Sequence, residues 1–262
     1  MPARGTQRPC LSHRANFLNT SKVPCVLFVD PPRTQFDLNF SLLGIPVRVH
    51  PLFWLVCLVL GGDRDVGNAL RWVGVVFVSI LVHEMGHALV ARNYGANPWI
   101  TLYGFGGLAS YRGARTDTKS SIAITLAGPM AGFLFAGAIV AVIIATRHQF
   151  EFFDFLIGSG DPIENYNVRN VIFQLLFVNL FWGLVNLLPV FPLDGGQISM
   201  ELFQVVNPRE GAAQALWLSV IVGATIAAAS FILLQDYFLA LFFGYMAYNS
   251  YALLTGGFGP RR

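Results

Sequence analysis

The chain has 262 residues, of which 55% are hydrophobic and only 12% are charged, and its formal net charge is +3. Ordinary soluble domains carry about 25% charged residues. Together with a mean hydropathy of +0.57, this composition excludes a typical soluble protein and indicates an integral membrane protein embedded in a lipid bilayer. The basic residues are scattered and lack interleaved aromatic residues, so we predict no nucleic-acid partner.

The first segment, residues 1–38, mixes Arg, Pro, Ser, Thr and Asn with little periodicity. No apolar run with a cleavage site follows closely enough to make it a signal peptide. We expect either a disordered cytoplasmic tail or an over-extended start of the reading frame. Residues 39–256 are predicted to form one transmembrane domain, which a short basic tail over residues 257–262 follows.

Apolar segments of about membrane-spanning length follow, separated by charged or Gly- and Pro-rich stretches. They predict an all-α polytopic membrane protein with about six transmembrane helices. The predicted spans are Ile45 to Gly61, Asn68 to Ala91, Ser120 to Thr146, Val168 to Leu188, Ala212 to Leu234 and Tyr237 to Leu254. The first is short, and the third is rich in Gly and Ala, as close helix packing in lipid favours.

The distribution of basic residues predicts the orientation, because short cytoplasmic connections are rich in Lys and Arg. Basic residues concentrate in the N-terminal tail, after the second span and at the C-terminus, whereas the connection from Arg147 to Arg169 carries four acidic residues. We therefore expect both termini in the cytoplasm, which agrees with an even number of spans, and we expect the plasma membrane as the location.

The second predicted span contains the pattern His-Glu-x-x-His at His83, Glu84 and His87. Residues four apart lie on one helical face, so both imidazoles are able to bind a single tetrahedral zinc ion. Glu84 lies one position round the helix, beside the remaining coordination position. A carboxylate in hydrocarbon costs about 3 kcal/mol or more unless it is paired or hydrated, and this cost favours a catalytic role over a packing role.

The segment from Trp99 to Arg112 is too short and too interrupted by glycines to span a bilayer. Its β-branched and aromatic residues predict a short re-entrant or interfacial β-hairpin after the second span. An exposed edge of this hairpin would add a strand of unwound substrate, with Gly104, Phe105, Gly106 and Gly107 as candidate contacts. An interfacial loop anchored by aromatic side chains explains the composition equally well.

Four further residues within or near the spans have two interpretations each. Gly128 and Pro129, in the third span, either kink that helix and widen a substrate cleft or simply allow close packing. Asn179 either lines a cavity or, as we expect, forms an interhelical hydrogen bond. His50 is as readily a packing residue as a functional one.

A catalytic zinc ion needs a third protein ligand and an open position. The candidate is Asp194, which follows Asn186 and two prolines at the end of the fourth span. Prolines end a helix and the pair Gly195-Gly196 allows a tight turn, so we expect Asp194 on irregular chain at membrane depth. Such chain must line a cavity or be buried in protein. Since the second and fourth spans run in the same direction, the three ligands should fall at similar depth.

The motif HEMGH, which starts at His83, together with NLLPVFPLDGG at the end of a later span, resembles the site-2 protease family of intramembrane zinc metalloproteases. GIPVRVHP, GFGG and LAGPMAGF extend the similarity in order over about residues 40–255. The resemblance implies one zinc ion per chain. It implies zinc ligands at His83, His87 and Asp194, a catalytic acid/base at Glu84, and a residue that positions substrate or stabilises the oxyanion at Asn186.

The resemblance also implies an activity and a partner. The expected protein is an intramembrane zinc endopeptidase that cleaves a transmembrane segment of another membrane protein near its cytoplasmic end, after an earlier cut, in regulated intramembrane proteolysis. No PDZ-sized insertion or nucleotide-sensing domain is visible in the sequence. A non-proteolytic membrane zinc-binding or scaffold protein of the same fold is the alternative. A zinc transporter is disfavoured because the second span offers little side-chain polarity between Asp65 and His83.

Overall fold

A computed structural model describes residues 31–61, 65–104, 106–113 and 117–257. The helices of these residues are α1 (Pro51–Gly61), α2 (Val66–Asn93), α3 (Thr118–Ala145), α4 (Tyr166–Asn186), α5 (Asp194–Val206), α6 (Gly211–Ala229) with a π-helical continuation (Ser230–Leu234), and α7 (Tyr237–Gly257). The strands are β1 (Leu38–Leu42), β2 (Ile45–Val49), β3 (Asn97–Tyr103), β4 (Gly106–Arg112), β5 (His148–Phe152), β6 (Phe155–Gly158) and β7 (Asp161–Pro162).

Five helices of the described chain are long and apolar enough to cross a membrane. They are α2, α3, α4, α6 with its π-helical continuation, and α7. These helices correspond to the second through sixth predicted spans. The protein is therefore a mostly helical integral membrane protein, to which the structure adds two small β-sheets.

The first predicted span, Ile45 to Gly61, differs from the expected helix. Its N-terminal part is strand β2, and only the 11 residues of α1 are helical. At about 1.5 Å per residue, α1 is about 16 Å long, roughly half of the about 30 Å needed to cross hydrocarbon. Two features explain the difference: β-branched residues alternate through β2, and Pro51 is favoured at the first position of a helix rather than inside one.

The larger sheet has the strand order β1-β2-β3-β4, so β4 lies at one edge. Strands β3 and β4 pair antiparallel from Asn97 opposite Arg112 to Tyr103 opposite Gly106. The segment predicted as a hairpin or loop therefore forms a hairpin. Buried apolar side chains join this sheet to α1 and α2, among them Val49, Phe53, Ile80, Met85 and Leu102.

The connections fix where this sheet lies along α2. Strand β3 begins four residues after α2 ends, so the hairpin starts at the C-terminal end of that helix and folds back along it. Strand β2 runs parallel to β3, with Val47 opposite Ile100. Helix α1 continues from β2 until Gly61 lies against the ring of Trp72 in the N-terminal third of α2. Residues 45–61 therefore traverse most of the length of α2 as a strand followed by a short helix.

The connection between α3 and α4, expected to be an acidic loop, contains the second sheet. Its strand order is β6-β5-β7, with β5 antiparallel to β6 and parallel to β7. Phe150 of β5 is buried against Ile143 of α3 and Leu176 of α4, which attaches the sheet to the helical bundle. Apolar residues of α6 and α7 form a separate cluster around Val190, Phe243 and Met246.

Most of the two predicted tails lies outside the described residues. Within the predicted N-terminal tail, Asp37 accepts a hydrogen bond from the Thr34 hydroxyl at 2.6 Å and forms an ion pair with Arg48 at 3.1 Å. The hydroxyl of Thr34, and with it the Arg48 guanidinium, holds the pKa of the Asp37 carboxyl below its usual value. Asp37, at the end of the predicted tail, thus contacts strand β2 of the predicted transmembrane domain.

Candidate metal centre

The two histidines of the His-Glu-x-x-His pattern lie one turn apart on the buried face of α2. Their side chains are 6% and 10% exposed, and their Nε2 atoms are 3.2 Å apart. The Nδ1 atom of His87 lies 2.7 Å from the carbonyl oxygen of Ile124. Since a carbonyl only accepts, the hydrogen of His87 resides on Nδ1. A neutral His87 ring therefore directs the lone pair of its Nε2 atom towards His83 and the candidate metal position.

Asp194 completes the cluster from α5. Its Oδ2 atom lies 3.2 Å from Nε2 of His83 and 3.5 Å from Nε2 of His87. This Oδ2 atom is buried and has no hydrogen-bond partner among the described residues. A buried carboxylate oxygen without a donor costs free energy, and a cation between it and two imidazole nitrogens removes that cost.

The local chain explains how Asp194 reaches the histidines. The irregular stretch covers residues 187–193, and Asp194 itself is the first residue of α5, which differs from the expected position on irregular chain. A Cβ at Gly195 would overlap the carbonyls of Leu187 and Leu188, so only glycine lets the start of α5 pack on this turn. The Phe191 N–H donates to the Ser219 hydroxyl at 3.0 Å, so a side chain of α6 satisfies irregular backbone.

Helix α3 closes one side of the cluster through Gly128. A Cβ at this position would overlap Nε2 of His87 and come too close to Nε2 of His83. Gly128 and Pro129 are both buried inside a continuous α3. Gly128 thus packs directly against the Nε2 atoms of both histidines, and this close packing accounts for the glycine.

Strand β4 covers Glu84. The Glu84 side chain is buried, and a Cβ on Gly107 would overlap its Cγ and lie within 2.6 Å of its Oε1. A Cβ on the neighbouring Gly106 would lie 3.8 Å from the ring of Trp182 of α4, which is an ordinary contact distance. The edge strand of the larger sheet therefore runs directly over the carboxylate next to the two histidines.

The remaining predicted site residues lie as follows. Asn186 is the last residue of α4, is buried, and donates from Nδ2 to the Trp182 carbonyl at 3.0 Å. Gly104 lies in the turn of the β3-β4 hairpin with a φ of 53° and open space around it. Phe105, also predicted to contact substrate, lies outside the described residues.

Two further polar residues have structural partners. Asn179 donates from Nδ2 to the Ser79 hydroxyl at 2.9 Å, and this forms the expected hydrogen bond between α4 and α2. Ser79 lies one turn before His83. His50 accepts the Leu52 N–H at 3.1 Å and packs edge-on against Tyr103, so a packing role accounts for it.

The donor set suits a catalytic zinc ion. Two imidazole nitrogens and one carboxylate oxygen lie within 4.8 Å of one another, and all three residues are buried. Catalytic zinc is held by three protein ligands of these types, with a fourth position left open. Glu84 is adjacent but is not one of the three groups that converge. The sequence predicted that His83, His87 and Asp194 meet, and the structure brings them together. Gly107, Gly128 and the Ile124 carbonyl acquire their positions only through packing between elements.

Comparisons with known proteins point to the same chemistry. The model of peptidase family M50 matches residues 72–229, which is more than half of the chain. A zinc metalloprotease of Methanocaldococcus jannaschii is 28% identical over 223 residues, covering 84% of this chain and 57% of that protein. Stage IV sporulation protein FB of Bacillus subtilis is 30% identical over 178 residues, covering 65% of this chain and 52% of that protein.

The fold is similar to that of a solved structure. The site-2 protease from Methanocaldococcus jannaschii matches with a TM-score of 0.53 at 24% identity, over 82% of this chain and 95% of that chain. The chain spans about half the length of the curated relatives it matches. The region matched by the family model includes the histidine pair and Asp194. The chain therefore belongs to peptidase family M50 and has the fold of a site-2 protease.

Proposed function

We propose that this protein is an intramembrane zinc endopeptidase that hydrolyses a peptide bond within, or near the cytoplasmic end of, a transmembrane segment of another membrane protein. One observation carries the proposal: two imidazoles and one carboxylate converge, beside Glu84, among five helices able to span a membrane. Buried groups of this kind in a membrane bundle are costly without a function.

The side chains divide into ligands and a proton carrier. His83, His87 and Asp194 would hold the metal, and a bound zinc ion would polarise the scissile carbonyl and make water a better nucleophile at neutral pH. Glu84 accepts the proton of the attacking water and then donates it to the leaving amine. The second hydrogen of the Asn186 amide is available to the developing oxyanion or to the substrate backbone.

Strand β4 supports a mode of substrate binding. A transmembrane helix hides its peptide bonds, so a segment must unwind before cleavage, and an extended segment binds readily to a free sheet edge. Among the described strands, β4 pairs only with β3. Its Gly107 lies against Glu84, so a substrate strand added to β4 would pass close to the catalytic groups. Gly104 and Gly106 would contribute to this surface, and Gly128 and Pro129 would form the opposite wall.

The length and charge of α2 support a position for the site near the cytoplasmic side of the membrane. His83 and Glu84 lie about ten residues before α2 ends at Asn93, so the site is about 15 Å from that end of the helix. Arg92 lies in the last turn, and basic residues favour the cytoplasmic side. Since residues 45–61 traverse the bundle in addition to the five long helices, both termini would lie in the cytoplasm, and we propose the plasma membrane as the location.

The proposed partner is a membrane protein whose outer part has already been removed by a first cut, in regulated intramembrane proteolysis. The support for this step is the resemblance to the site-2 protease family, together with the enclosure of the site by helices and by β4. Enclosure of this kind admits a single unwound segment more readily than a folded domain.

The experiment that tests the function is cleavage of a panel of single-span proteins in proteoliposomes. The wild-type protein is compared with the same preparation stripped by a zinc chelator and with the stripped sample after zinc is restored. We expect cleavage that disappears on stripping and returns with zinc. Cleavage that persists in a sample shown to be free of metal would refute the metalloprotease assignment. Full metal occupancy without cleavage of any panel member would favour a non-proteolytic zinc-binding or scaffold protein.

A further inference from the structure

A cavity lies where the end of α2 meets the larger sheet, away from the candidate metal centre. Its volume is about 490 Å³, and it is lined by residues of the β1-β2 turn, the start of β3 and the end of β4. Two of the lining residues are arginines, Arg92 and Arg112, and none is acidic. We propose that this cavity binds the phosphate group of an anionic phospholipid.

Both guanidinium groups are held by neutral partners. Arg92 donates from Nη1 to the Leu43 carbonyl at 2.7 Å, and Cζ of Arg112 lies 5.4 Å from the centroid of the Trp99 ring. Neither arginine forms an ion pair within the described parts of the chain. Each guanidinium therefore has no acidic partner in this part of the chain and keeps further N–H donors for a phosphate, to which planar guanidinium groups bind strongly.

The usual explanation for a basic residue at a helix end does not account for Arg92. Such residues often bind the last free carbonyls of their own helix. Here the N–H groups of Tyr94, Gly95 and Ala96 bind the carbonyls of Val90, Ala91 and Arg92, and the Arg92 side chain instead reaches the β1-β2 turn. The guanidinium is thus directed into the cavity wall rather than onto the end of α2.

The position of the cavity favours a lipid over phosphate from solution. Arg92 is in the last turn of a helix long enough to cross a membrane. Arginine and tryptophan side chains at such helix ends lie at the level of the headgroups. Ile45 and Pro98, which are buried, and Trp99 add apolar wall beside the arginines. A phosphate with glycerol and acyl chains attached matches this combination better than a free ion.

A bound phosphate would connect two elements of the fold. Arg92 belongs to α2, and Arg112 is the last residue of β4, the strand whose Gly107 lies against Glu84. A phosphate contacting both arginines would hold the end of β4 against the end of α2. Binding of anionic lipid should therefore stabilise the folded protein, a property that can be measured without knowing any substrate.

The test is native mass spectrometry of the purified full chain titrated with phosphatidylglycerol or phosphatidylcholine. We expect the wild type to retain one phosphatidylglycerol with about tenfold preference, and Arg92→Gln/Arg112→Gln to lose that preference. The matched control is Arg169→Gln/Arg209→Gln, which removes the same charge from exposed arginines outside the cavity. The control should retain the lipid as the wild type does.

Further measurements decide between the remaining outcomes. If the double variant is poorly folded in phosphatidylcholine, Arg112→Gln alone, at an exposed position, should still weaken retention several-fold. Thermal unfolding should show stabilisation by phosphatidylglycerol in the wild type and in the control variant only. Equal retention by the cavity variants and the wild type would overturn the proposal. Displacement of phosphatidylglycerol by millimolar inorganic phosphate would overturn the lipid as the source and leave a site for free phosphate.

Discussion

Asp194 is the proposed ligand that comes from a separate part of the chain, and its proposed role depends on a single oxygen atom. Oδ2 is buried against both Nε2 atoms without a hydrogen-bond donor of its own. The two histidines alone, on one face of α2, provide only two of the three groups that a catalytic zinc requires.

Replacement of Asp194 with Ala should therefore remove the metal. We expect zinc affinity to fall by more than about 100-fold, beyond the effect of losing a group that merely orients a ligand. Zinc per chain, measured by inductively coupled plasma mass spectrometry, reports the loss. Asp194→Asn provides the isosteric control, because it keeps the shape but removes the charge. Wild-type zinc content in Asp194→Ala would show that another residue is the third ligand.

Gly128 permits a prediction with a control in the same helix. In Gly128→Ala the methyl group would overlap the metal-binding nitrogens of His83 and His87, whereas nothing lies within 4 Å of a Cβ at Gly137. We expect Gly128→Ala to lower zinc affinity by about 10-fold to 100-fold, as displaced ligands do, and Gly137→Ala to keep one zinc per chain. Metal titration of both purified variants tests this. Similar affinities in the two variants would contradict the packing described.

Some of the site residues were predictable from the sequence. His83, Glu84 and His87 are neighbours in sequence, so helix periodicity alone predicts that they share a region, and Asp194 follows a turn marked by prolines and glycines. The proximity of Gly107 to Glu84, or of Gly128 to the histidines, depends on strand register and on the rotation of α3. Periodicity does not determine either of these.

At the scale of elements, the hairpin β3-β4 matters because alternate residues of β4 face different parts of the site. Gly107 faces Glu84, and Gly106 faces Trp182 with room for a methyl group. A methyl group at position 107 would push the Glu84 carboxylate or the strand away from its present place. The three atoms nearest to a Cβ at position 107 all belong to Glu84, so the metal should remain bound.

We therefore expect Gly107→Ala to reduce cleavage by at least about tenfold while zinc content stays at one per chain. The physical reason is that misplacement of a proton-transferring group forfeits part of a contribution worth about 10²- to 10⁴-fold. Gly106→Ala, whose methyl group would meet only Trp182 at an ordinary distance, should lose less activity than Gly107→Ala. Cleavage rates in proteoliposomes, normalised to zinc, provide the measurement. An equal loss in both variants would indicate damage to the hairpin as a whole.

The hydrogen bond between Ser79 and Asn179 joins α2 to α4 one turn from His83. In Ser79→Ala the Asn179 amide keeps its bond to the Leu175 carbonyl, so one interhelical bond is lost. We expect a loss of about 0.5–1.5 kcal/mol in the free energy of unfolding, with zinc affinity nearly unchanged. Denaturation in mixed micelles measures the free energy of unfolding. No change in stability would mean that packing alone holds α2 to α4.

Element boundaries show where sequence patterns were insufficient. The apolar run from Ile45 to Gly61 has the composition of a span, but its first part pairs with β3, and hydropathy does not distinguish a buried strand from a helix. The sheet of β5, β6 and β7 was also missed, because its strands are short and lie in an acidic connection. The five long helices were predictable, since each is a long apolar segment with clear breaks.

At the scale of the whole molecule, five helices are long enough to span a membrane, and a polar site lies where α2, α3 and α5 meet. One sheet edge, strand β4, approaches this site. The β2-α1 segment and the hairpin both extend along α2 to the depth of Glu84 or beyond it, so non-helical backbone lies beside the histidines. Such backbone is tolerated in a bilayer only where protein or a polar cavity satisfies it. Here protein satisfies this backbone, because β2 and β4 both pair with β3.

We propose that Glu84, beside a zinc ion held by His83, His87 and Asp194, enables hydrolysis inside the membrane. The most direct test compares wild type and Glu84→Gln on one single-span substrate in proteoliposomes, with products identified by intact mass and zinc measured in both samples. We expect a wild-type cut within the span and a rate at least about 100-fold lower in Glu84→Gln at equal zinc content. Cleavage by zinc-loaded Glu84→Gln at the wild-type rate would show that Glu84 is not required for hydrolysis.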